Sequence, residues 1–155
     1  MTNNDILRRV RYAIHLNNDE TLRLFALGGH TLSLPDLDLL LRKEEEPGFV
    51  DCPDTLLAAF LDGLIISRRG PRENAALEPE TLTNNVILRK IRIALELKDT
   101  DILRILEAGG MTVSKAELAA LFRKPGHRNF MPCRDQLLRK FLAGLASTLW
   151  GVVAL

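Results

Sequence analysis

The densest reactive chemistry in this 155-residue sequence is cationic. Arg123, Lys124, His127, Arg128, Arg134, Arg139 and Lys140 crowd into one stretch, RKPGHRNFMPCRDQLLRK. Side chains of this type at this density form an anion-binding surface. They span a loop and the start of a helix, where free amides and the helix dipole also favour negative charge. Phe130, within the stretch, offers a ring on which a base can stack. A protein partner, a second copy of this chain and a nucleic-acid backbone all suit such a surface. The formal net charge of the whole chain is only +1, which weighs against a strong nucleic-acid binder. A protein partner or self-association is therefore the first expectation, with RNA or DNA as the alternative.

The other reactive groups are sparse. Cys52 and Cys133 sit near the starts of two similar helices. A helix amino terminus lowers a thiol pKa and would make these cysteines reactive, whereas burial in a core would make them inert packing groups. Repetition of the pair favours packing. His15, His30 and His127 lie in unrelated settings, and two cysteines give no zinc-type spacing. The sequence has no glycine-rich phosphate loop, nucleophile elbow or persuasive carboxylate pair. The expectation is a non-enzymatic protein without catalytic, cofactor or metal residues.

What holds these groups is a duplication. TNNDILRRVRYAIHL from Thr2 matches TNNVILRKIRIALEL from Thr83, an offset of 81 residues that runs without a gap to Gly70 and Gly151. Roughly 42% of the paired positions are identical, far above chance. The period exceeds that of common solenoids, so this is a doubled domain. Each copy reads as four helices. The first opens at Asn3/Asn4, asparagine being a favoured N-cap, and carries Ile6, Leu7, Val10 and Ile14 as an apolar stripe. The second covers roughly Glu20 to Leu27 and stops at Gly28-Gly29. The third starts at Ser33 with Asp36 placed for a capping box, matched by Ser114 and Glu117. The fourth carries Leu56, Leu57, Phe60, Leu61 and Leu64 on one face after Pro53. Gly63 and Gly144 fall inside this helix, where glycine is costly and so predicts close helix–helix approach.

The fold expected is all-α: two tandem copies of a four-helix unit, residues 2–70 and 83–151, packed with pseudo-two-fold symmetry. A linker, 71–82, joins them, and an apolar tail, 152–155, covers a core or makes a dimer contact. Units of this size bury a modest core, which is why packing together is expected. The amino terminus lacks a signal peptide pattern, and the apolar stretch from Phe141 is too short to span a membrane. Together with the unpaired cysteines, this predicts a cytoplasmic protein.

The copies part company in charge. Residues 2–70 carry 8 Lys+Arg and 11 Asp+Glu, a net of −3; residues 83–151 carry 12 and 6, a net of +6. The difference concentrates where acidic RKEEEPGFVDC, from Arg42, matches basic RKPGHRNFMPC, from Arg123. Arginines kept in both copies, such as Arg8/Arg89, Arg11/Arg92 and Arg23/Arg104, are read mainly as a solvated face with local ion pairs. The Phe49/Phe130 pair, also shared, is read as a core anchor.

NNDILRRVRY, LRKEEEPGF, CPD and FLDGLI followed by RRG resemble the YehS-like family of bacterial proteins, a duplicated domain of unknown function. The similarity runs along nearly the whole chain. It implies a cytoplasmic bacterial protein and supplies no activity, cofactor or catalytic residue.

Overall fold

Threonine, not asparagine, opens the first helix. In the computed structural model, which describes residues 1–71 and 80–153 and side chains through residue 148, α1 spans Asn3–Ala13 with Thr2 as its N-cap. The Thr2 hydroxyl accepts the Asp5 N–H at 3.1 Å and the Asp5 carboxylate accepts the Thr2 N–H at 3.1 Å, a complete capping box. The expected asparagine cap is thus corrected: both asparagines are released for longer-range work. Ile6, Leu7, Val10 and Ala13 are buried, as the apolar stripe requires.

α2 (Asn18–Leu27) is capped by Asn17 with Glu20, and α3 (Leu34–Leu40) by Ser33 with Asp36. α4 runs Asp54–Arg69 behind Pro53. Phe25 of α2 and Phe60 of α4, both fully buried, meet with ring centroids 5.4 Å apart and planes tilted by 42°. The two helices approach until backbone meets backbone. A Cβ on Gly63 would stand 1.8 Å from the Leu24 carbonyl oxygen, and one on Gly28 would stand 1.9 Å from that of Ala59. Glycine is therefore the only residue that fits at either contact. Gly29, at φ +98°, performs the helix stop. The Gly-Gly pair read as a simple stop divides its duties: one glycine packs and the next turns.

The second unit repeats this plan with α5 (Asn84–Leu95), α6 (Asp99–Ala108), α7 (Lys115–Leu121) and α8 (Asp135–Val153). Thr83 caps α5 by accepting the Val86 N–H at 3.2 Å. Gly144 and Gly109 make the equivalent crossing, with Cβ positions 1.8 Å from the Ile105 oxygen and 2.0 Å from the Lys140 oxygen. The described residues form eight helices, all α, and contain no strand. The chain divides into two compact units, Met1–Leu82 and Thr83–Leu155. Most of the linker, 72–79, lies outside the described residues, as do residues 154–155 of the tail; 152–153 continue α8.

Adding a methyl group at the α2–α4 crossing forces the helices apart, because the obstacle is backbone and cannot rotate away. Gly63→Ala is expected to destabilise the protein by about 3 kcal/mol, against about 0.5–1 kcal/mol for the exposed helix control Ala26→Gly. Urea midpoints of the purified variants check this. An unchanged midpoint for Gly63→Ala contradicts the crossing geometry.

Candidate functional site

The released asparagines build the platform for the charged loops. Asn4 is fully buried, and its Nδ2 donates to the carbonyls of Leu40 and Val50, each at 2.8 Å. Its Oδ1 accepts the Cys52 N–H at 3.0 Å. In the second unit Asn85 donates to Leu121 and Met131, each at 2.9 Å, and accepts from Cys133 at 2.8 Å. One carboxamide thus ties together both ends of the loop between the third and fourth helices. The neighbouring asparagines add a second tie: Asn3 reaches the Cys52 carbonyl at 2.9 Å and Asp54 at 2.7 Å, and Asn84 reaches Asp135 at 2.8 Å. A further backbone bond, Met131 N–H to the Ala120 carbonyl at 3.0 Å, closes the basic loop.

On this common frame the two loops treat their first arginine differently. Arg42 is spent internally: Nη2 pairs with Asp38 at 2.9 Å, and Nη1 donates to the Pro47 carbonyl. In the second unit the position of Asp38 is Ala119 and that of Pro47 is Arg128. Arg123, Lys124, Arg128 and Arg134 are all exposed and make no ion pair or side-chain hydrogen bond among the described residues. The exposed His127 shapes the loop, its Nδ1 accepting the Asn129 N–H at 3.0 Å, while Gly126 takes φ +92°.

The remaining members of the sequence cluster lie on α8. Arg139 bonds Gln136 on its own helix at 3.4 Å. Lys140 extends to the carboxyl end of α6, its Nζ 3.9 Å from a Cβ placed on Gly110, where a cation complements the helix dipole. The expectation that the start of α8 adds its dipole to the anion site is also corrected. Asp135 already occupies that first turn, and the Asn84 side chain holds its carboxyl below the usual carboxylate range. Phe130 and Phe49 are half-buried, not core anchors. The loop group of exposed side chains is Arg123, Lys124, His127 and Arg128, with Arg134 beside it in the sequence.

Among the shared arginines, Arg8, Arg11 and Arg92 serve the local structure. Arg8 donates to the Arg42 carbonyl at 2.8 Å and pairs with Asp5. Arg11 bonds Thr21 at 2.9 Å and Asn18 at 2.7 Å. Arg92 meets Asp99 at 2.8 Å and lies 4.6 Å from the centroid of the Phe122 ring. Sequence reasoning missed the Asn4/Asn85 clasp. Its signal was present: the asparagine pair recurs in both copies behind a threonine that already suffices as the cap.

Both cysteines are buried. Burial pushes the Cys52 thiol up to about 11, helped by Asp51 and Asp54. Burial likewise pushes Cys133 up to about 12, helped by Asp135. Desolvation outweighs the helix amino terminus, and the reactive-thiol alternative is not supported. Among the described residues, no three His, Cys, Asp or Glu side chains are grouped as a metal would need, and no helix is long and apolar enough to cross a membrane.

The two all-α units coincide with two matches of a single family model. The chain belongs to the family described as Protein of unknown function (DUF1456), whose model matches residues 3–70 and again 84–150. It is similar to the uncharacterized protein YehS of Escherichia coli (strain K12), with 49% identity over 149 residues, 95% of this chain and 96% of that protein. No solved structure matches. The family resemblance legible in the sequence is therefore established.

The raised thiol pKa values carry a sign for stability. Unfolded thiols ionise near 9.0 while the folded ones resist to about 11 and about 12. Their contribution is thus complete below pH 9 and is lost as pH rises through the folded values. Stability should fall across that alkaline window, and less steeply in a Cys52→Ala/Cys133→Ala variant, as read by urea melts from pH 8 to 11. Equal slopes in both proteins contradict the burial account.

Proposed function

We propose that this protein is a non-enzymatic cytoplasmic binding module that engages an acidic surface of a protein partner through the loop of its second unit. The observation that carries the reading is the fate of one ion pair. Arg42 is neutralised by Asp38, whereas Ala119 leaves Arg123 unpaired beside Lys124 and Arg128. Three cations held on a hydrogen-bonded loop need little further ordering when an anionic surface docks, so less of the interaction is spent on loop entropy. The same loop in the first unit, with Glu44, Glu45 and Glu46, supplies the opposite charge and makes a second copy one eligible partner.

Nucleic acid is the second reading, favoured by the half-buried Phe130 next to these cations. The two readings separate in one experiment. Fluorescence anisotropy is measured for a labelled poly-glutamate peptide and for labelled single- and double-stranded DNA and RNA, at low and physiological salt. The comparison variant is Arg123→Glu/Lys124→Glu/Arg128→Glu. The expected result is peptide binding that weakens at least ten-fold in the folded variant. Nucleic-acid binding that persists at physiological salt and disappears in the variant would place RNA or DNA first. Absence of binding to every probe at low salt contradicts both readings.

A further inference from the structure

A second candidate site lies in the first unit and does not depend on the basic loop. α2 and α4 touch at Gly63 and Leu24. Beyond that contact, towards the start of α2 and the end of α4, they border a cleft of about 380 Å³. Its exposed lining is mainly polar, from Arg23, Ser67 and Arg68, with the half-buried Leu16 at one side and the buried Leu24 and Leu64 at its floor. The residues fall at helical spacing, Arg23 and Leu24 on one helix and Leu64, Ser67 and Arg68 on the other, so each helix turns one face to the cleft.

The two arginines are uncommitted. Neither Arg23 nor Arg68 makes an ion pair or hydrogen bond among the described residues. Glu20 is the one carboxylate in the lining, and its Oε1 is engaged by the Asn17 N–H at 3.2 Å in the α2 capping box. The lining therefore holds two guanidinium groups against one carboxylate. Arg68 cannot be explained by the shared fold, because the equivalent position in the second unit is Leu149. Ser67 likewise becomes Thr148, whose hydroxyl is turned inward to the Gly144 carbonyl at 2.8 Å. A cation needed only to complement the end of α4 is already present as Arg69.

We propose that this cleft binds a small organic phosphate monoester. Its phosphate is held between Arg23 and Arg68 with the Ser67 hydroxyl donating, and a compact organic body lies against Leu16. Guanidinium groups match phosphate oxygens in geometry as well as charge. The volume lies within the range of small-molecule sites.

The test titrates the full-length protein, labelled with nitrogen-15, with phenyl phosphate, benzoate, inorganic phosphate and benzyl alcohol. Amide chemical shifts locate each probe. Phenyl phosphate should saturate shifts at residues 20–24 and 64–68. Inorganic phosphate and benzoate should bind more weakly there, and benzyl alcohol should cause no saturable change. Arg68→Leu, which installs the second unit's residue at an exposed position, should weaken phenyl phosphate at least ten-fold, and Arg23→Gln should do the same. Circular dichroism verifies that both variants are folded. Shifts confined to residues 122–134 would assign the anion to the basic loop and overturn the cleft proposal. Native affinity for phenyl phosphate in either folded variant would also overturn it.

Discussion

The architecture depends on a single carboxamide in each unit, fully buried at Asn4 and half-buried at Asn85. A loop that leaves one helix and enters another must satisfy backbone groups at both ends, and a buried group left unpaired costs about 1–3 kcal/mol. Asn4 satisfies three of them with one side chain, two carbonyls and an N–H separated by 36 to 48 positions from it. Asn85 repeats the same three bonds. An asparagine has two donors and an acceptor in a plane, so no residue of similar size substitutes without orphaning a partner. Because the clasp gathers the loop ends, residues between them are freed from holding the fold and can diverge.

The duplication shows where that freedom has been used. The Gly63/Gly28 and Gly144/Gly109 crossings, the threonine caps and the buried fourth helices are the same in both units, and each has a backbone or core reason to be so. The clasped loops differ in nearly every charge. Change is cheapest on an exposed loop whose ends are fixed elsewhere. The two candidate sites obey the same logic in opposite units. Arg123 becomes available where Asp38 has given way to Ala119, and Arg68 stands where the second unit has Leu149.

Much of this fold was legible from sequence because its signals are local or repeated. Helix periodicity, the Ser33/Asp36 and Ser114/Glu117 capping boxes, and the buried Gly63 and Gly144 all follow from rules acting over a few residues or from the repeat itself. The asparagine clasp was not, because its partners lie dozens of positions away and the residue type also suits a cap. The cationic cluster was legible as composition but not as geometry. Neighbouring positions on one helix point in different directions, so Lys140 turns to the end of α6 while Arg139 stays beside Gln136 and Asp135 in the first turn of α8. The cleft holding Arg23 and Arg68 joins residues from two helices and left no mark in the chain order.

The central claim is that Asn85 clasps a preorganised basic loop. Amide hydrogen exchange of the full-length protein tests it most directly, comparing the native chain with Asn85→Ala and with Asn85→Asp, which keeps the acceptor but loses both donors. The account predicts that exchange accelerates at Met131 and Cys133 in the alanine variant, with the carboxylate failing to restore the loop, while residues 1–71 keep their native protection. Unchanged exchange from 122 to 133 in both variants would show that the loop holds itself, and would contradict the account.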